Sequence, residues 1–276
     1  MGKMLLPQQE YLVHRHNCAN FISEISGTRL CRRHPTLKEE LFTRADGGLM
    51  ANNRVELLGL WGGSKSCNPS SNVAGAPELK SLSYLASVRS SLVKKHGIPV
   101  VISILFADSH HLVANGRHQN TIDQYHGSLA PIALEFDMSI LRLSTLWDAN
   151  INAVADVRRL LDCRAADAIC QSNEIVARAS KAARKHSHLM TTGVTDIDVA
   201  WFYIATEVAF LREVDKALSH LPIFFAFSDP VVQSPIAQAA GVPMLHFYST
   251  HSKEKTTPWT QPNERAEIPP PKFSAT

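Results

Sequence analysis

Tyr203 and Glu207 stand four residues apart. On a helix that spacing puts both side chains on one face, within reach of a shared ligand. The run around them, Trp201-Phe202-Tyr203-Ile204-Ala205-Thr206-Glu207-Val208-Ala209-Phe210, is mostly apolar. A carboxylate in such a run is costly unless it is paired or used. Burial raises a carboxyl pKa, which suits general acid or base work near neutral pH. The structural alternative is an ion pair with Arg212 or Lys216, and the residues alone favour neither reading.

A second group is the glycine turn Gly59-Leu60-Trp61-Gly62-Gly63-Ser64-Lys65-Ser66. It nearly reads as the phosphate loop G-x-x-x-x-G-K-S/T, but Ser64 replaces the second glycine. Cys67-Asn68-Pro69 also opposes the helix that should start at the lysine. The better reading is a turn whose glycines let a ligand approach the backbone, with a serine and a lysine beside it. Asp108-Ser109-His110 follows a strand, a position that favours a site, although Asp and Ser also serve as caps. Three adjacent residues on one turn cannot assemble a Ser-His-Asp triad. Arg178, Lys181, Arg184 and Lys185 crowd a helix end. They read either as a phosphate track or as cations favoured at a helix C-terminus.

The elements that must position these groups alternate along the chain. Apolar runs predict buried strands at Val55–Trp61, Val100–Phe106, 223–227 and 242–248. Helical spacing predicts helices over 78–96, near 118–135 and 147–162, over 164–188 as one long element, over 196–219 with Thr195 as cap, and over 235–240. Strand, helix, strand in this order gives right-handed parallel units. The predicted fold class is α/β, a Rossmann-like parallel sheet flanked by helices. Ligands of such sheets bind beyond the carboxyl ends of the strands. That rim gathers Trp61 to Ser66, Asp108 to His110 and Phe227 to Asp229.

Composition narrows the class. The chain has 276 residues, 45% of them hydrophobic, and a formal net charge of +3. It can bury a sizeable core, and its overall charge does not announce a nucleic-acid binder. Five cysteines without a C-x-x-C argue against a disulfide framework or a zinc site and for a reducing, cytoplasmic setting. The apolar runs are strand-sized, so no membrane span is expected. Residues 1–50 read as a loosely packed N-terminal arm, 51–251 as the catalytic domain, and 252–276 as a disordered tail rich in proline and charge.

In their order and spacing these segments resemble the cyclodipeptide synthases. Tyr203-Ile204-Ala205-Thr206-Glu207 looks like that family's Tyr-x-x-x-Glu helix, and the register runs on without a gap into Phe224-Phe225-Ala226-Phe227. Leu57 through Ser64 is similar to its first strand and glycine turn. Asp108-Ser109-His110 with Asn115-Gly116-Arg117 looks like a further shared segment. The resemblance implies a fold like the catalytic domain of class I aminoacyl-tRNA synthetases, with no ATP and no cofactor. It implies two aminoacyl-tRNAs as substrates and a diketopiperazine as product. A serine after the first strand would accept the first aminoacyl group. Tyr203 and Glu207 would hold the α-amino group and move protons. Gly59, Trp61, Gly62, Gly63, Asp108, Phe227 and Asp229 would line the substrate site, and Arg178, Lys181, Arg184 and Lys185 would bind tRNA.

Two departures stand out. The gapless register puts Trp61 where the family has its serine, which leaves Ser64 as the candidate nucleophile. Phe227 replaces the family's strand-end tyrosine. Such departures suit a divergent branch that makes arginine-containing cyclodipeptides, whose pocket would need a carboxylate such as Asp108 or Asp229. Gly63 to Ser66 with Ile102 to Asp108 also resembles the isocyanide synthases, but their Pro- and Phe-rich segment before the Lys-Ser pair is absent. A non-catalytic Rossmann-like module that binds a nucleotide or a protein is the rival outside enzymes.

Overall fold

Five short parallel strands carry the architecture. The computed structural model describes residues 8–33, 35–62, 73–108, 118–146, 161–186, 193–218 and 221–248. In chain order the elements are α1 (Gln8–Ile25), α2 (Lys38–Asn52), β1 (Val55–Trp61), α3 (Ala76–His96), β2 (Val100–Phe106), α4 (Gln119–Glu135), β3 (Ser139–Arg142), α5 (Leu143–Leu146), α6 (Cys163–Ile169), α7 (Asn173–His186), α8 (Asp196–Ala217), β4 (Ile223–Ala226), α9 (Pro230–Ala240) and β5 (Met244–His246). The sheet order is β3-β2-β1-β4-β5 with every pairing parallel. The expected α/β fold, a parallel sheet flanked by helices, is the fold of the chain.

The strands are apolar on both faces because helices cover both. Leu57, Trp61, Ile102, Ile104, Phe106 and Phe225 face α1, α3 and α4. Leu58, Leu105, Phe224, Ala226 and Met244 face α6 to α9. Full burial of each such side chain stabilises the fold by about 1.5–3 kcal/mol. The chain turns from one side of β1 to the other between β3 and β4, so the switch point lies between the ends of β1 and β4.

Several elements differ from expectation. Residues 8–52, read as part of a loose arm, form two helices whose Cys18, Phe21, Ile25, Leu41 and Ala45 join the core. Residues 30–32 then run along the outer edge of β5, with Arg32 N–H donating to the His246 carbonyl at 2.8 Å. That contact covers an otherwise bare strand edge. Strand β3 was not foreseen. The single helix over 164–188 is two helices, broken at Cys170 to Ser172. Helix α9 starts at Pro230, because Asp229 caps it and proline suits a first turn. Residues 147–160 and 252–276 lie outside the described residues. Among the described residues no helix is long and apolar enough to cross a membrane.

Candidate functional site

Helix α8 brings the first pair to the rim. Its next strand, β4, starts at the amino edge of the sheet, so the first half of α8 lies toward the carboxyl edge. Thr195 caps it by accepting from Asp198 N–H at 3.3 Å. Val199, Ala200, Ile204, Ala205 and Val208 pack on the sheet. Tyr203 and Glu207 fall on the flank of that stripe, both half-buried. Burial and the nearby Glu207 carboxylate push the Tyr203 phenol well above its ordinary pKa, against the lowering effect of a hydrogen bond from Gln233. The phenol is therefore a protonated donor at neutral pH.

The structural alternative for Glu207 loses its two named partners. Arg212 donates to Asp162 Oδ2 at 2.7 Å and to the Ala239 carbonyl at 2.9 Å. Lys216 donates to Glu213 Oε1 at 2.7 Å.

Gln233 was not singled out from sequence. It sits in the early part of α9, 5% exposed, and its Nε2 donates to the Tyr203 hydroxyl at 2.9 Å. Its Oε1 is buried without a hydrogen-bond donor. A buried unpaired acceptor costs about 1–3 kcal/mol, so an unpaired one calls for a reason. The next residue, Ser234, joins His246 of β5, with Oγ and Nε2 3.0 Å apart. His246 is 1% exposed, and its Nδ1 also lacks a partner. Burial, with Arg32 and Arg33 nearby, lowers its pKa to about 4.

The remaining sequence candidates scatter around this centre. Trp61 is 1% exposed, and its Nε1 donates to Tyr125 Oη at 2.9 Å. Tyr125 donates to Glu78 Oε1 at 3.1 Å, and Glu78 Oε2 accepts Gly75 N–H at 2.9 Å. This chain of bonds anchors the end of β1 on the α3 and α4 face. Tyr203 packs against the opposite face, so Trp61 and Tyr203 are separated by the sheet. At Gly59 a Cβ would lie 2.3 Å from the Phe225 ring, which gives that glycine a packing role. Gly62 is exposed at the rim with open space where a Cβ would stand. Gly63 and Ser64 lie outside the described residues. Phe227 meets Phe225 edge-on at 5.9 Å and Tyr84 at 6.4 Å, on the Trp61 side of the sheet.

The two aspartates are held by the chain's own cations. Asp108, 3% exposed, accepts from Arg142 Nε at 2.7 Å, Ser144 N–H at 2.9 Å and Ser144 Oγ at 2.5 Å. It thereby ties the end of β2 to the end of β3. Asp229 accepts from Arg178 at 2.8 Å and from Val231 N–H at 3.0 Å. Burial alone would raise the Asp229 pKa, but these bonds hold it below the ordinary carboxylate value.

On the basic helix α7, Ala179 and Ala183 face inward while Arg178, Lys181 and Arg184 are exposed. Arg184 pairs with Asp196 at 2.9 Å. The Lys185 side chain lies outside the described residues. Among the described residues no cluster of three His, Cys, Asp or Glu side chains is placed to hold a metal. A groove lined by Arg89, Val93, Val100, Leu134 and Met138 lies at the opposite, amino end of the strands, away from Tyr203.

The arrangement joins a protonated phenol, a carboxylate and an unpaired amide oxygen beside the switch point. It can bind a cationic nitrogen and move its proton. No protein-family model matches the chain, and no curated sequence does. Among solved structures it is similar to the PvcA protein from Pseudomonas aeruginosa, with a TM-score of 0.59 at 14% identity, over 88% of this chain and 87% of that one. That likeness shows a shared fold. A tyrosyl-tRNA synthetase from Archaeoglobus fulgidus complexed with L-tyrosine matches at TM-score 0.48 and 11% identity, over 84% of this chain and 64% of that one. A cyclo(L-leucyl-L-phenylalanyl) synthase, of the family the sequence motifs resemble, is also among the matches. It superposes at TM-score 0.36 and 13% identity, over 75% of this chain and 92% of that one. The last two superpositions are too loose to carry an argument.

Proposed function

We propose that this chain is an aminoacyltransferase that builds a cyclic dipeptide from two aminoacyl-tRNAs. The observation that carries the reading is the Tyr203 and Glu207 pair. The two lie one turn apart on α8 beside the switch point, and the cations that would make Glu207 structural are engaged elsewhere.

The chemistry needs no external energy, because an aminoacyl ester is already activated. In the first step Ser64 attacks the ester carbonyl of one charged tRNA. The serine proton passes to the departing ribose oxygen, and a seryl ester remains. The amine of the stored residue then attacks the ester of the second charged tRNA. Glu207 takes the proton released from that amine, and the second ribose oxygen leaves. Finally the new terminal amine attacks the seryl ester, the diketopiperazine closes, and the serine regains its proton. Backbone N–H groups of the glycine turn at Gly62 and Gly63 hold the oxyanions. The protonated Tyr203 phenol orients the amine.

The exposed face of α7, with Arg178, Lys181, Arg184 and Lys185, tracks tRNA phosphates. Arginine as one of the two amino acids belongs to the same proposal. Asp108 is bound on both oxygens by Arg142 and Ser144, so Asp229 is the carboxylate able to receive a substrate guanidinium, by exchange with the exposed Arg178.

The test is mass spectrometry of culture medium from a bacterial host expressing the chain, beside Glu207→Gln. New masses equal to two amino acids less two waters, absent with the variant, are expected. Folded, abundant protein without such masses would return Tyr203 and Glu207 to packing roles and favour a binding module.

A further inference from the structure

Gln233 is the one polar side chain at the site that the reaction above leaves unused. It is 5% exposed, and α9 presents it to α8. Half of its amide has a partner, since Nε2 donates to the Tyr203 hydroxyl at 2.9 Å. The other half, Oε1, is buried and has none. A leucine or methionine at this position would fill the same space without that cost, so the oxygen points to a ligand.

The surrounding groups define the ligand's chemistry. Tyr203 accepts from Gln233 and keeps one lone pair on its oxygen. Glu207 stands one turn along, close enough for its charge to act on the phenol. The cluster thus offers a carboxylate, an amide oxygen and a phenol lone pair. Three acceptors around one point, with no competing cation at Glu207 from Arg212 or Lys216, complement a group with three N–H donors. A primary ammonium is that group. A guanidinium is planar and would spread its donors away from a compact cluster.

We propose that Gln233 is a substrate-binding residue whose Oε1 accepts an N–H of the primary α-ammonium of an aminoacyl group, completing a three-acceptor site with Tyr203 and Glu207. This deepens the aminoacyl reading given above and rests on it for the identity of the amine. Gln233 selects for a free amine. It also sets the orientation from which that amine, once deprotonated, attacks. A donor whose α-amine is acylated has lost the matching N–H groups and would leave Oε1 unpaired.

The inference is tested on the full chain with small probes, so that its fate separates from that of tRNA chemistry. A panel of amino-acid amides mimics the aminoacyl end, with the carboxyl uncharged and the ammonium free. Each is compared with its N-α-acetyl counterpart by calorimetry or NMR titration. Wild-type protein is expected to bind at least one amide about tenfold or more tightly than its acetylated form, the size of one hydrogen bond to a charged group. Gln233→Met, which keeps the volume and removes the acceptor, is expected to bring that ratio close to one. Gln233→Glu, which keeps an acceptor, is expected to preserve it, and both variants should unfold as cooperatively as wild type. The proposal is overturned if wild type shows no preference for the free amine. It is also overturned if Gln233→Met retains the wild-type ratio, or if Gln233→Glu loses it as fully as Gln233→Met does. A preserved amine preference in a protein that yields no cyclic dipeptide would strike the synthase reading alone.

Discussion

Arg178 and Asp229, which sequence assigns to separate tasks, are bonded to each other at 2.8 Å. The same aspartate caps α9 through Val231 N–H. Any contact of Arg178 with a phosphate therefore competes with a cap at the substrate rim. Asp229→Asn retains the cap and releases the guanidinium. We expect it to strengthen tRNA binding and to steepen the dependence of log affinity on log salt by about one. Asp229→Ala also removes the cap and should cost about 1 kcal/mol of stability. Filter binding across a salt series and thermal melts check the two parts. An unchanged salt slope in Asp229→Asn would count against the tRNA track on α7.

His246 makes stability fall in mild acid. Its folded pKa, about 4, lies below the ordinary value of 6.5. A histidine held neutral binds fewer protons folded than unfolded. Its stabilising effect is complete above the unfolded value and is lost as pH drops from about 6.5 toward 4. The shift corresponds to roughly 3 kcal/mol. Urea unfolding at pH 7 and pH 4.5 should show this loss in wild type and a much smaller one in His246→Gln. Equal losses would place the acid sensitivity elsewhere.

Gly59 should tolerate no side chain. The Phe225 ring occupies the place a Cβ would take, 2.3 Å away. Gly59→Ala is expected to destabilise by about 1–3 kcal/mol through overpacking. Phe225→Leu in the same chain should recover part of that, because the two changes meet at one contact. A double variant no more stable than the sum of the single losses would mean that backbone, rather than the ring, sets the limit.

Trp61→Ser separates alignment from geometry. Motif register alone says that a serine there restores the missing nucleophile. The structure puts that side chain on the face of the sheet away from Tyr203, bonded to Tyr125. The expected outcome is a loss of about 3–5 kcal/mol, as for other buried aromatic truncations, with no gain in cyclic dipeptide yield. A stable variant with raised yield would relocate the acyl acceptor from Ser64 to this position.

Much of the fold was legible because buried parallel strands are apolar on both faces. Val55–Trp61 and Val100–Phe106 announced themselves, and Thr195 with two acidic neighbours marked the start of α8. Strand β3 escaped notice because Ser139-Ile140-Leu141-Arg142 is a four-residue edge strand with polar ends. The break between α6 and α7 has neither glycine nor proline to mark it. The stripe Cys18, Phe21, Ile22 and Ile25 has helical spacing, but its polar neighbours hid it. At the site, the spacing of Tyr203 and Glu207 was readable locally. Gln233, and the pairings of Asp108 with Arg142 and Asp229 with Arg178, were not. Each joins residues far apart in the chain, and no local period encodes a tertiary partner.

Strand β1 is made first yet stands in the middle of the sheet. One flank is filled early, when β2 is synthesised. The other waits for residues 223–226 of β4. At ordinary elongation rates that interval lasts on the order of ten seconds. Throughout it the nascent chain carries a bare strand edge and an uncovered apolar surface at Leu58 and Leu105, whose cover of α6 to α9 is not yet made. The chain therefore finishes its sheet only as its last third emerges from the ribosome. Until then it is a substrate for chaperones, and slowing or crowding its synthesis should lower the yield of folded protein without changing any contact in the finished molecule.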